Sequence, residues 1–118
     1  LCVFFSVRNY VTPTRDIRPE GILRLLNAAT GFDYDMDGLM RAGERIINAE
    51  RLFLIRAGFS AKDDNLPPRI VSEPLPDGPG RGHVCELDQM LPVYYHLRGW
   101  DAAGMPTAET LNGLGLGA

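Results

Sequence analysis

The sequence predicts an all-α chain: several amphipathic helices, interrupted by one long proline- and glycine-rich loop. Three observations carry this. Two adjacent apolar rows run at seven-residue spacing, Leu39–Ile46–Phe53 and Met40–Ile47–Leu54. A second apolar series, Leu87, Met90, Leu91, Tyr94 and Tyr95, falls at i, i+3, i+4, i+7 and i+8. Between Ser60 and His83 lie Pro67, Pro68, Pro74, Pro76 and Pro79 with Gly78, Gly80 and Gly82. Spacing of the first two kinds marks helix faces, and breakers at that density exclude a continuous helix.

Taken in order, residues 1–10 are apolar on most sides and read as a buried helix or a strand, which periodicity alone does not separate. Thr12-Pro13-Thr14 breaks that element. Pro19 and Glu20 suit the first turn of a helix, where a missing N–H is harmless and a carboxylate meets the positive end of the dipole. Ile22, Leu23, Leu25, Leu26 and Ala29 give it an apolar face, and Gly31 is placed to close it.

The longest helix is expected from about Asp37 to Ala57, with Asp33, Asp35 and Asp37 at its N-terminal end and Gly58 past its C-terminal end. Arg41, Glu44, Arg45, Glu50 and Arg51 have the spacing of a charged face. Residues 60–84 are expected to form an irregular surface loop. A third helix carries Leu87 to Tyr95, with Asp88 as the expected N-cap, so that Pro92 falls at the edge of the first turn, and Gly99 as terminator. A last short helix starts at Thr107 and ends at the glycines of the closing Leu114-Gly115-Leu116-Gly117.

The bulk properties exclude several functions. At 118 residues, 45% apolar and 23% charged, the chain is of single-domain size and globular composition, and 1–118 is read as one helical domain. Twelve Lys+Arg against fifteen Asp+Glu give a net charge of −3, a poor match to a phosphate backbone, so nucleic acid is not an expected partner. Lys62 is the single lysine, and an arginine-dominated set suits ion pairs and fixed forks. Two cysteines, Cys2 and Cys85, imply a reducing, cytoplasmic setting rather than a disulfide scaffold. No apolar run approaches the roughly 20 residues needed to cross a bilayer. The opening Leu1-Cys2-Val3-Phe4-Phe5 reads as though cut from a larger polypeptide, and such a piece is expected to expose apolar surface and self-associate.

The run Tyr94-Tyr95-His96-Leu97-Arg98-Gly99-Trp100-Asp101, followed by Gly104-Met105-Pro106-Thr107, resembles the C-terminal signature of the aldehyde ferredoxin oxidoreductase family. Glu44-Arg45-Ile46-Ile47-Asn48 with Arg51-Leu52-Phe53, then Asp63-Asp64-Asn65-Leu66-Pro67-Pro68-Arg69, then Glu73-Pro74-Leu75-Pro76-Asp77-Gly78-Pro79, resemble further family blocks in the family's order. Their ordered succession over nearly the whole chain is what makes the resemblance specific. It implies a tungsten (or molybdenum) bis-pterin enzyme with one 4Fe–4S cluster, oxidising aldehydes to carboxylates and passing electrons singly to ferredoxin.

By the same resemblance, Leu1-Cys2 matches the last two letters of the family's D-x-x-G-L-C motif. Cys2 would then be the fourth cluster ligand and Leu1 a pterin contact, with Phe4, Phe5 or Tyr10 lining substrate access. The remaining ligands would come from the remainder of the parent polypeptide, and the fragment alone would be inactive. A subunit of a related tungsten acyl-CoA or carboxylate reductase, and a stand-alone helical interaction module, are the alternatives.

Other residues have plainer readings. Cys85 is a loop or core thiol. The Asp33/Asp35/Asp37 alternation lacks the glycine and closing glutamate of a calcium loop and is read as helix capping. His83 and His96 stand apart and form no metal-ligand pattern. Tyr94 and Tyr95 are core residues at helical spacing. Arg98, Trp100 and Asp101 are expected to form a structural knot, with Arg98 on a carboxylate and the Trp100 ring buried. Asp63 and Asp64 are expected to cap or face solvent.

Overall fold

The computed structural model describes residues 19–117, and Leu1, Cys2, Phe4, Phe5 and Tyr10 lie outside them. Among the described residues the structure is all-α, as the sequence predicts: α1 (Pro19–Thr30), α2 (Met36–Arg56), α3 (Pro68–Ser72), α4 (Leu87–Leu97) and α5 (Ala108–Gly113), with a 3-10 turn at Ala61–Asp63. The chain divides into two compact units, Leu1–Gly43 and Glu44–Ala118.

In the first unit, α1 begins on Pro19 with Glu20 in its first turn, and Gly31 ends it at φ 74° while its N–H reaches the Asn27 carbonyl at 2.9 Å. Only a residue without Cβ takes that conformation freely. Asn27 then holds the connecting turn from both sides. Its Nδ2 donates to the Tyr34 carbonyl at 2.8 Å, and its Oδ1 accepts from the Tyr34 N–H at 3.2 Å. Of the three alternating aspartates, Asp35 caps α2, its Oδ1 accepting from the Gly38 N–H at 2.7 Å, and Asp37 sits in the first turn.

In the second unit, α2 ends where expected. The Phe59 N–H bonds the Leu54 carbonyl at 3.0 Å across Gly58, whose φ is 95°. Ser60 and Asp63 form a reciprocal capping box on the 3-10 turn. Two expectations need correction here. The stretch 60–84 is not irregular throughout, because α3 occupies Pro68–Ser72 with proline in its first turn. Pro68 supplies a preset φ and lacks only an N–H that would have had no partner, so there it starts a helix instead of breaking one. Beyond α3 the loop is pinned to itself: the Leu75 N–H donates to the His83 carbonyl at 3.1 Å, and the Gly82 N–H to the Leu75 carbonyl at 2.9 Å.

The second correction concerns α4. Its N-cap is Glu86 rather than Asp88, and Pro92 lies inside the helix. That proline removes the bond to the Asp88 carbonyl, a loss the helix tolerates because its inner face packs. Gly99, at φ 67°, terminates it. Thr107 caps α5, its Oγ1 accepting from the Thr110 N–H at 3.2 Å. Between α4 and α5 the chain makes a tight loop, closed by an isolated antiparallel bridge between Trp100 and Pro106.

The core of this unit contains few apolar residues. Tyr95, Trp100 and Pro106 are its buried apolar side chains among the described residues, and beside them Asn48 and Arg51 are buried at 0% and 6% exposure. The apolar rows of α2 are not what packs inward: Ile46 and Phe53 are exposed, Phe53 at 71%.

Candidate functional site

Arg51 is the centre of the best-defined site among the described residues. Helical spacing puts Glu44, Asn48 and Arg51 on one face of α2, at i, i+4 and i+7. Each finds a distant partner. Arg51 makes a two-pronged pair with Asp64, Nη1 to Oδ1 at 2.8 Å and Nη2 to Oδ2 at 2.6 Å, while its Nε donates to the Gly104 carbonyl at 2.8 Å. The same Asp64 Oδ2 accepts from the Tyr95 hydroxyl. Planar, bidentate pairing is the geometry that makes arginine–carboxylate contacts strong.

Around this pair the ring of Trp100 closes one side. The Arg51 guanidinium carbon lies 4.8 Å from the Trp100 ring centre, and the Tyr95 and Trp100 ring centres are 5.8 Å apart. The indole N–H donates to Asn48 Oδ1 at 2.8 Å, and Asn48 Nδ2 donates to the Glu44 carbonyl at 2.9 Å. No buried side-chain nitrogen or oxygen is left without a partner among the described residues, which is the condition for a buried polar network to stabilise rather than cost. Arg98 adds an ion pair to Glu44 at 2.6 Å and covers the Tyr94 ring.

The electrostatics follow the geometry. The Arg51 hydrogen bonds hold the Asp64 carboxyl below its ordinary range, against a smaller opposing effect of burial. The bond to Asp64 makes the Arg51 guanidinium hold its proton more tightly. Burial, and then the bond to Asp64, push the Tyr95 hydroxyl up. All three shifts favour Arg51 and Asp64 as ions and Tyr95 as a neutral donor.

Most letters of the Arg98-Gly99-Trp100-Asp101 … Gly104-Met105-Pro106-Thr107 run have a structural task in this knot, the Met105 side chain excepted. Gly99 is crowded by Thr110, whose hydroxyl donates to the Gly99 carbonyl at 2.8 Å. Asp101 Oδ1 accepts from the N–H groups of Ala103 and Met105, both at 2.9 Å. Gly104 sits at φ 71°, with the Arg51 guanidinium and the Tyr95 ring where a Cβ would go. Pro106 is buried, and Thr107 caps α5. The expected knot of Arg98, Trp100 and Asp101 is therefore present.

The sequence reading missed its centre. Arg51 was expected on a charged helix face and Asp64 at a cap or in solvent, whereas they pair, with Arg51 buried and Asp64 partly so. Asp63 does cap. The signal that points to the pair is Asn48, a polar residue on the same helix face as Glu44 and Arg51. Tyr95 is buried as expected, but Tyr94 is 41% exposed.

An open cleft of about 470 Å³ adjoins the knot, lined by Ile47, Glu50, Leu54, Leu87 and Leu91 with Arg51, Asp64 and Tyr95. Arg51, Asp64 and Tyr95 are engaged with one another there, so this trio holds structure, whereas the Glu50 carboxylate on the cleft wall makes no hydrogen bond or ion pair among the described residues. Cys85 is half-buried, its sulfur 3.9 Å from that of Met90. Among the described residues no group of three or more His, Cys, Asp and Glu could hold a metal ion, His83 and His96 included. No described helix is long and apolar enough to cross a membrane. Leu1 and Cys2, the cofactor-contacting and metal-ligating residues expected from the resemblance, lie outside the described residues.

Comparison with known proteins places this scaffold. Residues 1–116 match the family model described as aldehyde ferredoxin oxidoreductase, domains 2 and 3. The tungsten-containing aldehyde ferredoxin oxidoreductase of Pyrococcus horikoshii is 52% identical over 93 residues, 78% of this chain and 15% of that protein. The enzyme of the same name from Thermococcus kodakarensis is 50% identical over the same shares. The WOR-like subunit of an aliphatic sulfonate oxidoreductase from Pyrococcus furiosus is 36% identical over 107 residues, 83% of this chain and 17% of that one. The chain thus spans about 15% of the length of the first two relatives. A model match over nearly every residue, with half of the aligned positions identical, decides the assignment: the chain belongs to the aldehyde ferredoxin oxidoreductase family.

Proposed function

We propose that residues 1–118 are the C-terminal helical domain of a cytoplasmic tungsten-pterin, iron–sulfur oxidoreductase that converts aldehydes to carboxylic acids, with ferredoxin as electron acceptor. The observation that supports this best is the match of residues 1–116 to the family's domains 2 and 3, with 52% identity to an enzyme named for that activity. In this reading Cys2 supplies one thiolate of a 4Fe–4S cluster and Leu1 contacts a pterin. The donor chemistry fits in part: thiolate is the ligand iron–sulfur clusters take, but one thiolate fills one position of four. The other ligands and the tungsten site belong to the rest of the parent polypeptide, so the isolated chain is inactive.

When bound, the tungsten-pterin supplies the two-electron oxidation and the cluster the one-electron transfers. The contribution of the described residues is support. The knot of Arg51, Asp64, Tyr95 and Trp100 fixes α2, α4 and the 100–106 loop relative to one another within their unit. A second reading, as a subunit of a related oxidoreductase with another substrate, draws on the 36% match to the aliphatic sulfonate oxidoreductase subunit. The higher identity to the aldehyde enzymes favours the first.

The test uses the parent polypeptide. Cys2→Ser is expected to abolish the electron paramagnetic resonance signal of the reduced cluster while the tungsten content stays. An unchanged cluster signal would remove Cys2 from the ligand set. Aldehyde-dependent reduction of ferredoxin supports the first reading, and turnover of a sulfonate with aldehydes untouched would replace it by the second.

A further inference from the structure

We infer that two apolar helix faces of the 44–117 unit, Ile46 with Phe53 on α2 and Met90, Val93 and Leu97 on α4, are docking faces for the polypeptide that family members carry outside the stretch this chain matches. The inference rests on the reading above and specifies which surfaces meet that polypeptide.

In Leu87–Leu97 the charged and amide positions are few, Asp88 and Gln89 at the start and His96 near the end. A helix apolar most of the way round is built to be covered on more than one side. One side is covered, where Leu87, Leu91 and Tyr95 line up at i, i+4 and i+8 and Tyr95 is buried. The other carries Met90, Val93 and Leu97 at i, i+3 and i+7, and these are 57%, 58% and 77% exposed.

α2 is inverted relative to a surface helix. Its inward residues Glu44, Asn48 and Arg51 are polar and engaged, whereas Ile46 and Phe53, seven residues apart on the opposite side, lie open. Large apolar side chains left open in this way are candidates for an interaction site. The two faces also point in different directions, because Ile46 and Phe53 turn away from the knot that α4 packs on. A two-fold pairing with a second copy uses one patch per copy and would leave one face uncovered. A larger polypeptide lying on both sides covers the two together, and the matched stretch is only 15% of the Pyrococcus horikoshii relative.

Hydroxyl-radical footprinting of the isolated chain and of the intact Pyrococcus horikoshii relative tests this, with oligomeric state read in parallel by light scattering. Phe53, Met90 and Leu97 are expected to oxidise readily in the isolated monomer. The positions aligned with them are expected to lose that reactivity in the intact relative, while the loop aligned with Pro74–Gly82 stays reactive in both. Equal reactivity at the aligned positions in the intact relative would overturn the inference. So would protection already present in the isolated chain, in a dimer (a second copy covers the faces) or in a monomer (the chain covers them itself). None of these outcomes touches the cluster and turnover assays, so the docking faces can fail while the enzymatic reading stands.

Discussion

Along α2 the residues turned toward α4 are Glu44, Asn48 and Arg51, and those turned away are Ile46 and Phe53. Around α4 the ordinary order holds on the inner side, with Tyr95 buried, and fails on the outer side, where Leu97 is 77% exposed. The interior is therefore a satisfied polar network flanked by two aromatic rings, and the exterior of the same two helices leaves large apolar side chains open among charged ones such as Arg45 and Glu50. A polar interior of this kind derives its specificity from direction. Each donor has one acceptor at one distance, so the network fixes a geometry that interchangeable apolar contacts would leave looser. The apolar exterior has no such restriction and suits a surface that is covered.

That contrast predicts unequal sensitivity on the two sides. The largest effect is expected for Arg51→Ala, which leaves the Asp64 carboxylate with the Tyr95 hydroxyl alone and removes the side-chain donor to the Gly104 carbonyl. Breaking one half of a mostly buried pair costs about 3–5 kcal/mol, read as a fall in the urea midpoint of the isolated chain. Gly104→Ala comes next. It puts a Cβ at φ 71°, 3.0 Å from the Tyr95 ring and against the Arg51 guanidinium. The left-handed conformation and the crowding together cost at least about 2 kcal/mol, measurable by thermal unfolding. If Gly104→Ala were tolerated, the knot would be looser than described.

Trp100→Phe keeps most of the ring but removes the donor to Asn48, whose side chain has no access to water. A loss of about 1–2 kcal/mol is expected, and the double variant with Asn48→Leu should recover part of it.

The fold was legible where a cap or a breaker acts locally. Pro19, Gly31, Gly58, Gly99 and Thr107 mark helix ends in the sequence and in the structure alike. Pro67 and Pro68 misled because proline is both a breaker and a helix starter, and only its position within the turn decides which. The knot was half legible. Arg98, Trp100 and Asp101 stand together in the chain, whereas Arg51 meets partners 13 and 53 residues away. No local rule fixes such pairing, since it depends on how the helices pack. The apolar rows of α2 gave the helix correctly but not its inward face, because periodicity shows that a stripe exists without saying what covers it.

The pH dependence tests the interior further. Asp64 has its folded pKa lowered, so its contribution is present above the unfolded value of about 4 and is lost as pH falls through the folded value. Tyr95 has its folded pKa raised, so its contribution is present below about 10 and is lost as pH rises through the folded value. Stability should therefore decline at both extremes, and Asp64→Asn should flatten the acid limb of the urea midpoint against pH. An acid limb of the same slope in that variant would assign it to other carboxylates. The smallest effect is expected outside: Leu97→Asp and Phe53→Asp should change the stability of the isolated chain by no more than about 0.5 kcal/mol.

The most direct measurement is urea unfolding of the isolated chain beside its Arg51→Ala and Leu97→Asp variants, followed by circular dichroism. The account predicts a large drop in midpoint for Arg51→Ala and an unchanged midpoint for Leu97→Asp. A large drop for Leu97→Asp, with Arg51→Ala unaffected, would mean that the apolar face holds the chain together and the polar knot does not.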